Sequence, residues 1–394
     1  MKSLTVNALL IAFFALLSTY PIAEIRVDFN SFQLPFVLFP YLAIATYTSL
    51  IGGLNFEFER SEKYLAYLFL TLFFSTLVKF LFDQSAFSLE RSKGIIYFLA
   101  PFFLIPLLKS LPRVKLLTIT LLAIVIPVLI GWYRFKTGEG GIESEHNLNY
   151  WGIRYAEASR NSDVLYPISL VLISLELSVL TRSIFKTGLC WLAIFLGVTA
   201  TALSLSRGGW IALAIGMFHF LRLQKRQKRN IATLIVIFII LIALYVIFAE
   251  NFSDEIINRF ISIGEFSDRE VSNFDRILII MKSLEAMISL PFGTGFGYSD
   301  TVMRVDGNTL GNSENGWLTI AVEGGFLAFI FSILLTKALI VRCRRSSSPV
   351  GLPLFSLLFT YLIFNYELNS IFFWTMVSIA WAMLSEEGIN RGTR

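Results

Sequence analysis

Arg207 is the only charge between Leu189 and Leu221, thirty-three residues that apart from it and His219 are apolar or small. An ionised guanidinium at bilayer depth costs about 3 kcal/mol on insertion scales. A chain keeps such a charge where it meets a partner, a cavity or an anionic ligand. A second arginine, Arg276, leads an apolar-periodic stretch in a long loop. Two guanidiniums on one side of a membrane can grip a diphosphate through bidentate, charge-assisted hydrogen bonds. The competing readings are a buried ion pair or interfacial anchor for Arg207, and a solvated or ion-paired loop charge for Arg276. Glu314 stands in Gly311-Asn312-Ser313-Glu314-Asn315-Gly316-Trp317-Leu318, where the same loop returns to apolar sequence. A carboxylate there can serve as general base for a hydroxyl, or simply complement the positive end of a helix.

Other polar groups flank these three. Gly152-Ile153-Arg154-Tyr155 and Arg160-Asn161-Ser162-Asp163 precede an apolar run, and Arg154, Arg160, Asn161 and Asn315 could meet a phosphate or sugar hydroxyls. The plainer reading of the second group is a loop that caps the following helix. Glu323 lies inside an apolar run and is followed by Gly324 and Gly325; it is expected to face the bundle and pair there, an arginine being one candidate partner, in a structural or a functional role. Glu176 is read as paired or snorkelling, and His146 as a bystander. Gly293-x-Gly295-x-Gly297 follows no strand and so gives only a weak nucleotide signal. Two histidines and two isolated cysteines, Cys190 and Cys343, suggest neither a metal site nor a disulfide framework.

The elements that must position these residues are membrane spans. Hydrophobic residues make up 55% of the chain, mean hydropathy is +0.68, and charged residues are 15%, against roughly 25% in soluble domains. An all-α, polytopic membrane protein follows, as one domain over residues 1–394 without internal repeats. About 20 apolar residues cross a hydrocarbon core. Twelve such spans are expected: Leu4–Ile22, Leu34–Leu54, Tyr64–Phe82, Gly94–Leu108, Leu116–Tyr133, Val164–Leu180, Leu189–Leu205, Gly208–Leu221, Ile231–Ala249, Gly316–Val341, Val350–Tyr366 and Ile371–Leu384. The first is kept as a span because Tyr20-Pro21-Ile22-Ala23-Glu24 makes a poor cleavage site.

Orientation follows from Lys and Arg. Placing Arg222, Lys225, Arg226, Lys228 and Arg229 inside gives 18 basic residues in 54 inside positions and 13 in 124 outside ones. That bias puts both termini in the cytoplasm and two long loops, residues 134–163 and 250–315, outside. The net charge of +5 therefore reports membrane topology, not nucleic-acid binding. Spans seven and eight, at 17 and 14 residues, reach only about 25 and 21 Å. They would draw Arg207 down to the headgroup–acyl boundary. In the larger loop, Ile277, Ile280, Met281, Leu284, Met287 and Ile288 fall at helical spacing. An amphipathic helix is expected there, capped by Asn273 or Asp275, with Arg276 in its first turn, lying along the membrane surface or over the bundle. Pro291 ends it and the three glycines form a tight turn.

Taken together, the residues from about Gly152 to Val341 resemble the O-antigen ligase and polymerase family of bacterial envelopes. Three elements match in order: Ser-x-Ser-Arg-Gly-x-Trp at Ser204 to Trp210, the Arg-led helix ending in Pro-x-Gly-x-Gly-x-Gly at Arg276 to Gly297, and Asn315, Leu318, Glu323 and Gly325 as Asn-x-x-Leu followed by Glu-x-Gly. The resemblance implies glycosyl transfer at the outer face of the inner membrane, from a glycan on undecaprenyl diphosphate to a sugar hydroxyl of a lipid core or of another lipid-linked glycan. It implies that Arg207 and Arg276 bind the diphosphate without a metal or other cofactor, and a chain-length regulator is a plausible partner. Ligases of the family carry His-Asn where this chain has Glu314-Asn315, so Glu314 would have to activate the acceptor. That departure favours a polymerase and leaves an inactive accessory homologue open. A twelve-span transporter or flippase is the rival from another class, disfavoured by the lack of repeats and by charges crowded on one side.

Overall fold

The computed structural model describes Phe13 and residues 26–29, 32–35, 38–50, 60–83, 93–109, 111–137, 162–181, 183–204, 206–223, 271–302, 304–305, 308–309, 315–345, 351–364 and 370–385. An antiparallel ribbon, β1 Arg26–Phe29 with β2 Phe32–Pro35, leads to helix α1 Leu38–Leu50. The second expected span therefore begins four residues late. Leu34 precedes Pro35, and a residue before proline is pushed out of helical geometry. Next come α2 Arg60–Phe82, a 3₁₀ segment Lys93–Leu99 running into α3 Ala100–Lys109, α4 Arg113–Thr137, α5 Ser162–Leu180, α6 Ile184–Leu203 and α7 Arg207–Leu223. Helix α8 Val271–Ser289 is followed by a second small ribbon, β3 Arg304–Val305 with β4 Asn308–Thr309. Helices α9 Gly316–Arg345, α10 Gly351–Phe364 and α11 Ile371–Ser385 close the chain.

Four stretches, Arg60–Phe82, Arg113–Tyr133, Phe185–Ala202 and Gly316–Cys343, are long and apolar enough to cross a membrane, and five shorter apolar helices accompany them. The chain is an integral membrane protein. Of the expected span Leu4–Ile22 only Phe13 is described, and Ile231–Ala249 lies outside the described residues.

Burial sorts the helices. Every described side chain of α11 from Ile371 to Leu384, and nearly all of α5 from Val164 to Leu177, is buried. A helix that is apolar all round belongs in the centre of a bundle, and Tyr166 of α5 stacks on Phe372 of α11 with ring centroids 3.9 Å apart. Helix α2 is the opposite case: Leu70, Phe73, Phe74, Leu77, Leu81 and Phe82 are exposed, as a lipid-facing helix requires.

Contacts fix which helix ends lie together. Helices α2 and α9 run antiparallel: Ser61 accepts a hydrogen bond from Arg342 at one end (3.3 Å), Tyr67 meets Phe331 midway, and Ser75 donates to the Glu323 carbonyl toward the other end (2.6 Å). At this second end a Cβ on Gly209 would lie 2.5 Å from Val164, and one on Gly316 would strike Leu362. There too Phe98 packs on both Trp374 and Phe296. The starts of α5, α7, α9 and α11, and the turn after α8, therefore share one end of the bundle.

Candidate functional site

The junction between α6 and α7 is built by its own small residues. Ser204 ends α6, its N–H bonded to the Ala200 carbonyl (3.0 Å) and its hydroxyl to the Thr201 carbonyl (2.7 Å). Ser206 starts α7: its hydroxyl accepts from the Gly209 N–H at 3.2 Å, an N-cap bond. Gly209 is bare where α7 meets Val164 of α5. The Trp210 indole donates back to the Thr201 carbonyl at 2.9 Å and latches the two helices. Each of these side chains serves the fold. Arg207 occupies the first position of α7, where the positive end of the helix dipole adds to any cation; its side chain lies outside the described residues.

One expectation about this junction needs correction. Helix α6 is 20 residues long, about 30 Å, so it is not a short helix that drags Arg207 inward. It extends at its start past Lys186, whose N–H bonds the Ser183 hydroxyl.

Helix α8 also differs from expectation. It begins at Val271, so Asn273 and Asp275 lie inside it rather than capping it. Arg276 is its sixth residue, in the second turn. The apolar spacing simply continues upstream through Phe274 and Val271. The face that meets the protein is not the apolar one. Ile279, Ser283 and Ala286 are buried, with Ile279 and Ala286 clustered around Val322 of α9, while Ile280, Met281, Leu284 and Ile288 are exposed.

The turn after α8 docks into a break in α9, and sequence reasoning missed this. Gly325 has φ 71° and ψ −166° inside α9, and Gly293, Gly295 and Gly297 have φ of 77°, 90° and 83°. These left-handed values suit glycine. The break frees backbone groups that the turn then satisfies: Thr294 N–H bonds the Val322 carbonyl (3.0 Å), Gly295 N–H the Glu323 carbonyl (3.0 Å), and Phe326 N–H the Pro291 carbonyl (3.1 Å). From α2, the Ser75 hydroxyl accepts from Gly295 N–H (3.0 Å) and the Thr76 hydroxyl accepts from Phe296 N–H (3.0 Å). Glu323 is fully buried and accepts from the Ser299 hydroxyl at 3.1 Å. Lys79 of α2 packs on Gly295, pairs with Asp83, and lies over the Tyr298 ring. A Cβ at Gly293 or Gly325 would run into backbone atoms of the opposite partner. The signal for this lock was present as Glu323-x-Gly325 and the spaced glycines, but their partnership was not visible.

Asn315 is the N-cap of α9: its side-chain oxygen accepts from the N–H groups of Trp317 (3.0 Å) and Leu318 (3.1 Å). Glu314 precedes it and lies outside the described residues, as do Arg154, Arg160, Asn161 and His146. The structure thus brings to one end of the bundle the start of α7, the start of α9 and the turn that anchors α8. Among the described residues no group of three His, Cys, Asp or Glu side chains comes together.

Residues 192–333 match the family model described as O-antigen ligase. Over that stretch the chain is similar to the O-antigen ligase family. The matched stretch runs from α6 into α9 and so contains the α6–α7 junction, the α8 arm and the lock at Gly325. No curated protein matches the chain.

Proposed function

We propose that this protein is a member of the O-antigen ligase and polymerase family and a membrane glycosyltransferase of the bacterial inner membrane, with both termini cytoplasmic and its active site on the periplasmic side. The donor is a glycan on undecaprenyl diphosphate, and the acceptor is a hydroxyl of another glycan or of a lipid core. Arg207 and Arg276 hold the diphosphate. The acceptor oxygen forms a bond to the anomeric carbon as the bond from that carbon to the phosphate oxygen breaks. The hydroxyl proton passes to Glu314, and the electron pair leaves with the diphosphate, whose growing charge the two guanidiniums offset. Direct displacement inverts the anomeric centre. Arg154, Arg160, Asn161 and Asn315 line the donor and acceptor. No metal takes part; the arginines fill that role. Polymerisation of an exopolysaccharide or O-antigen unit is favoured over ligation, because Glu314 stands where ligases carry histidine.

One observation carries this reading. Ser204, Ser206, Gly209 and Trp210 cap and pack the α6–α7 junction, which sets Arg207 at the first position of α7, at the bundle end shared by the start of α9 and the turn after α8. The test is transfer of labelled glycan between two lipid-linked glycans in proteoliposomes. Arg207→Ala should lose about 100-fold in rate, the equivalent of roughly 3 kcal/mol of transition-state stabilisation, with protein still in the membrane. Product at the wild-type rate would overturn the role of Arg207. Tolerance of Gln at both arginines would instead identify an accessory subunit.

A further inference from the structure

We infer that α8 is a re-entrant arm seated in one leaflet, with its apolar face against lipid acyl chains rather than in water or against protein. The inference rests on the membrane fold alone and does not depend on glycosyl transfer. Three observations support it. First, the turn that ends α8 is deep. It bonds Ser75 and Thr76 of α2, whose helix continues to Phe82, and Glu323 of α9, whose helix starts at Gly316. Both positions are about 10 Å inside their helix ends. Above that level α2 still presents Leu77, Phe80, Leu81 and Phe82 outward, so the hydrocarbon layer extends past the turn.

Second, α8 stays near that depth. Ile279 and Ala286, two turns apart, share one cluster with Val322, six residues into α9. Third, its exposed face is apolar and joins the lipid face of a spanning helix. Met281 is 62% exposed, Ile288 80% and Phe292 59%, and the Phe292 ring lies edge-on to Phe74 of α2 at 6.4 Å. Lys282 and Glu285, paired at 2.8 Å, sit to one side of the apolar face. Such a face suits a helix lying at the headgroup–acyl boundary.

The test uses single nitroxide labels at Met281→Cys, Leu284→Cys, Ile288→Cys and Glu285→Cys in the full chain in lipid nanodiscs. Cys190 and Cys343 are buried, and the unsubstituted chain gives the labelling background. All four replaced side chains are exposed, so the fold tolerates the labels; elution as a single species checks this. Collisions with oxygen should exceed those with a water-soluble nickel chelate severalfold at positions 281, 284 and 288. That ratio should fall at 285. Nickel collisions dominating at all four positions would place the face in water and overturn the inference. Spin–spin broadening between labels would overturn it equally, by showing a second copy of the chain on the face.

Discussion

At Asn315 a structural task and a proposed chemical one fall on the same side chain. Its oxygen caps α9, and losing such a cap costs about 1 kcal/mol. Asn315→Asp keeps the cap, whereas Asn315→Ala removes it. If the residue only caps, Asp should restore both melting temperature and transfer rate. If it also touches the acceptor, Asp should restore the melting temperature alone. Parallel melts and rate assays on the two variants separate these outcomes. The sequence made Asn315 conspicuous through its place at the loop-to-span boundary, but capping and substrate contact leave the same mark there. Glu323 was legible in a different sense. A carboxylate in an apolar run had to find a partner, and the hydroxyl that supplies one comes from Ser299, in a loop that periodicity cannot register.

Elements were legible wherever their apolar run was long. Apart from α8, the described helices overlap expected apolar spans, and the differences sit at ends, where Pro35 delays α1 and Ser183 extends α6. Apolar periodicity also located α8 but did not say which face meets the protein. Helical spacing marks an apolar stripe equally well for lipid and for a protein core, and here the stripe turned outward. The docking of turn to break was hidden because its parts are far apart in sequence: Ser75 bonds groups 220 and 248 residues away. Its energetics can be tested at two points. Ser75→Ala removes one of the two acceptors of the Gly295 N–H, which keeps the Glu323 carbonyl, and should cost about 1 kcal/mol. Gly325→Ala adds a Cβ against the Pro291 carbonyl at a positive φ and should cost more, above the roughly 1 kcal/mol typical of point substitutions. Melting temperatures in nanodiscs should fall in that order, and a Gly325→Ala protein as stable as the parent would contradict the described break.

For the whole molecule, the two ends of the bundle differ. One gathers the α7 and α9 starts and the glycine turn. The other holds Ser61, Arg342 and Trp381, with the guanidinium 5.8 Å from the indole centroid. From the Lys and Arg distribution we propose that this second end faces the cytoplasm. Cysteines placed at Arg226 and at Glu139 should therefore label from opposite sides in intact cells given a membrane-impermeant reagent, with position 139 reacting first. Equal labelling, or the reverse order, would invert the topology and move the proposed site to the wrong compartment.

The break at Gly325 also limits how the protein can be rebuilt. Because the glycine turn is seated by α2 on one side and by α9 on the other, residues 250–315 are not an independent cassette. A chimera that imports this loop from another protein must import the matching Ser75–Thr76 and Glu323–Gly325 seats with it. Swapped alone, the foreign loop would arrive as a key without its lock.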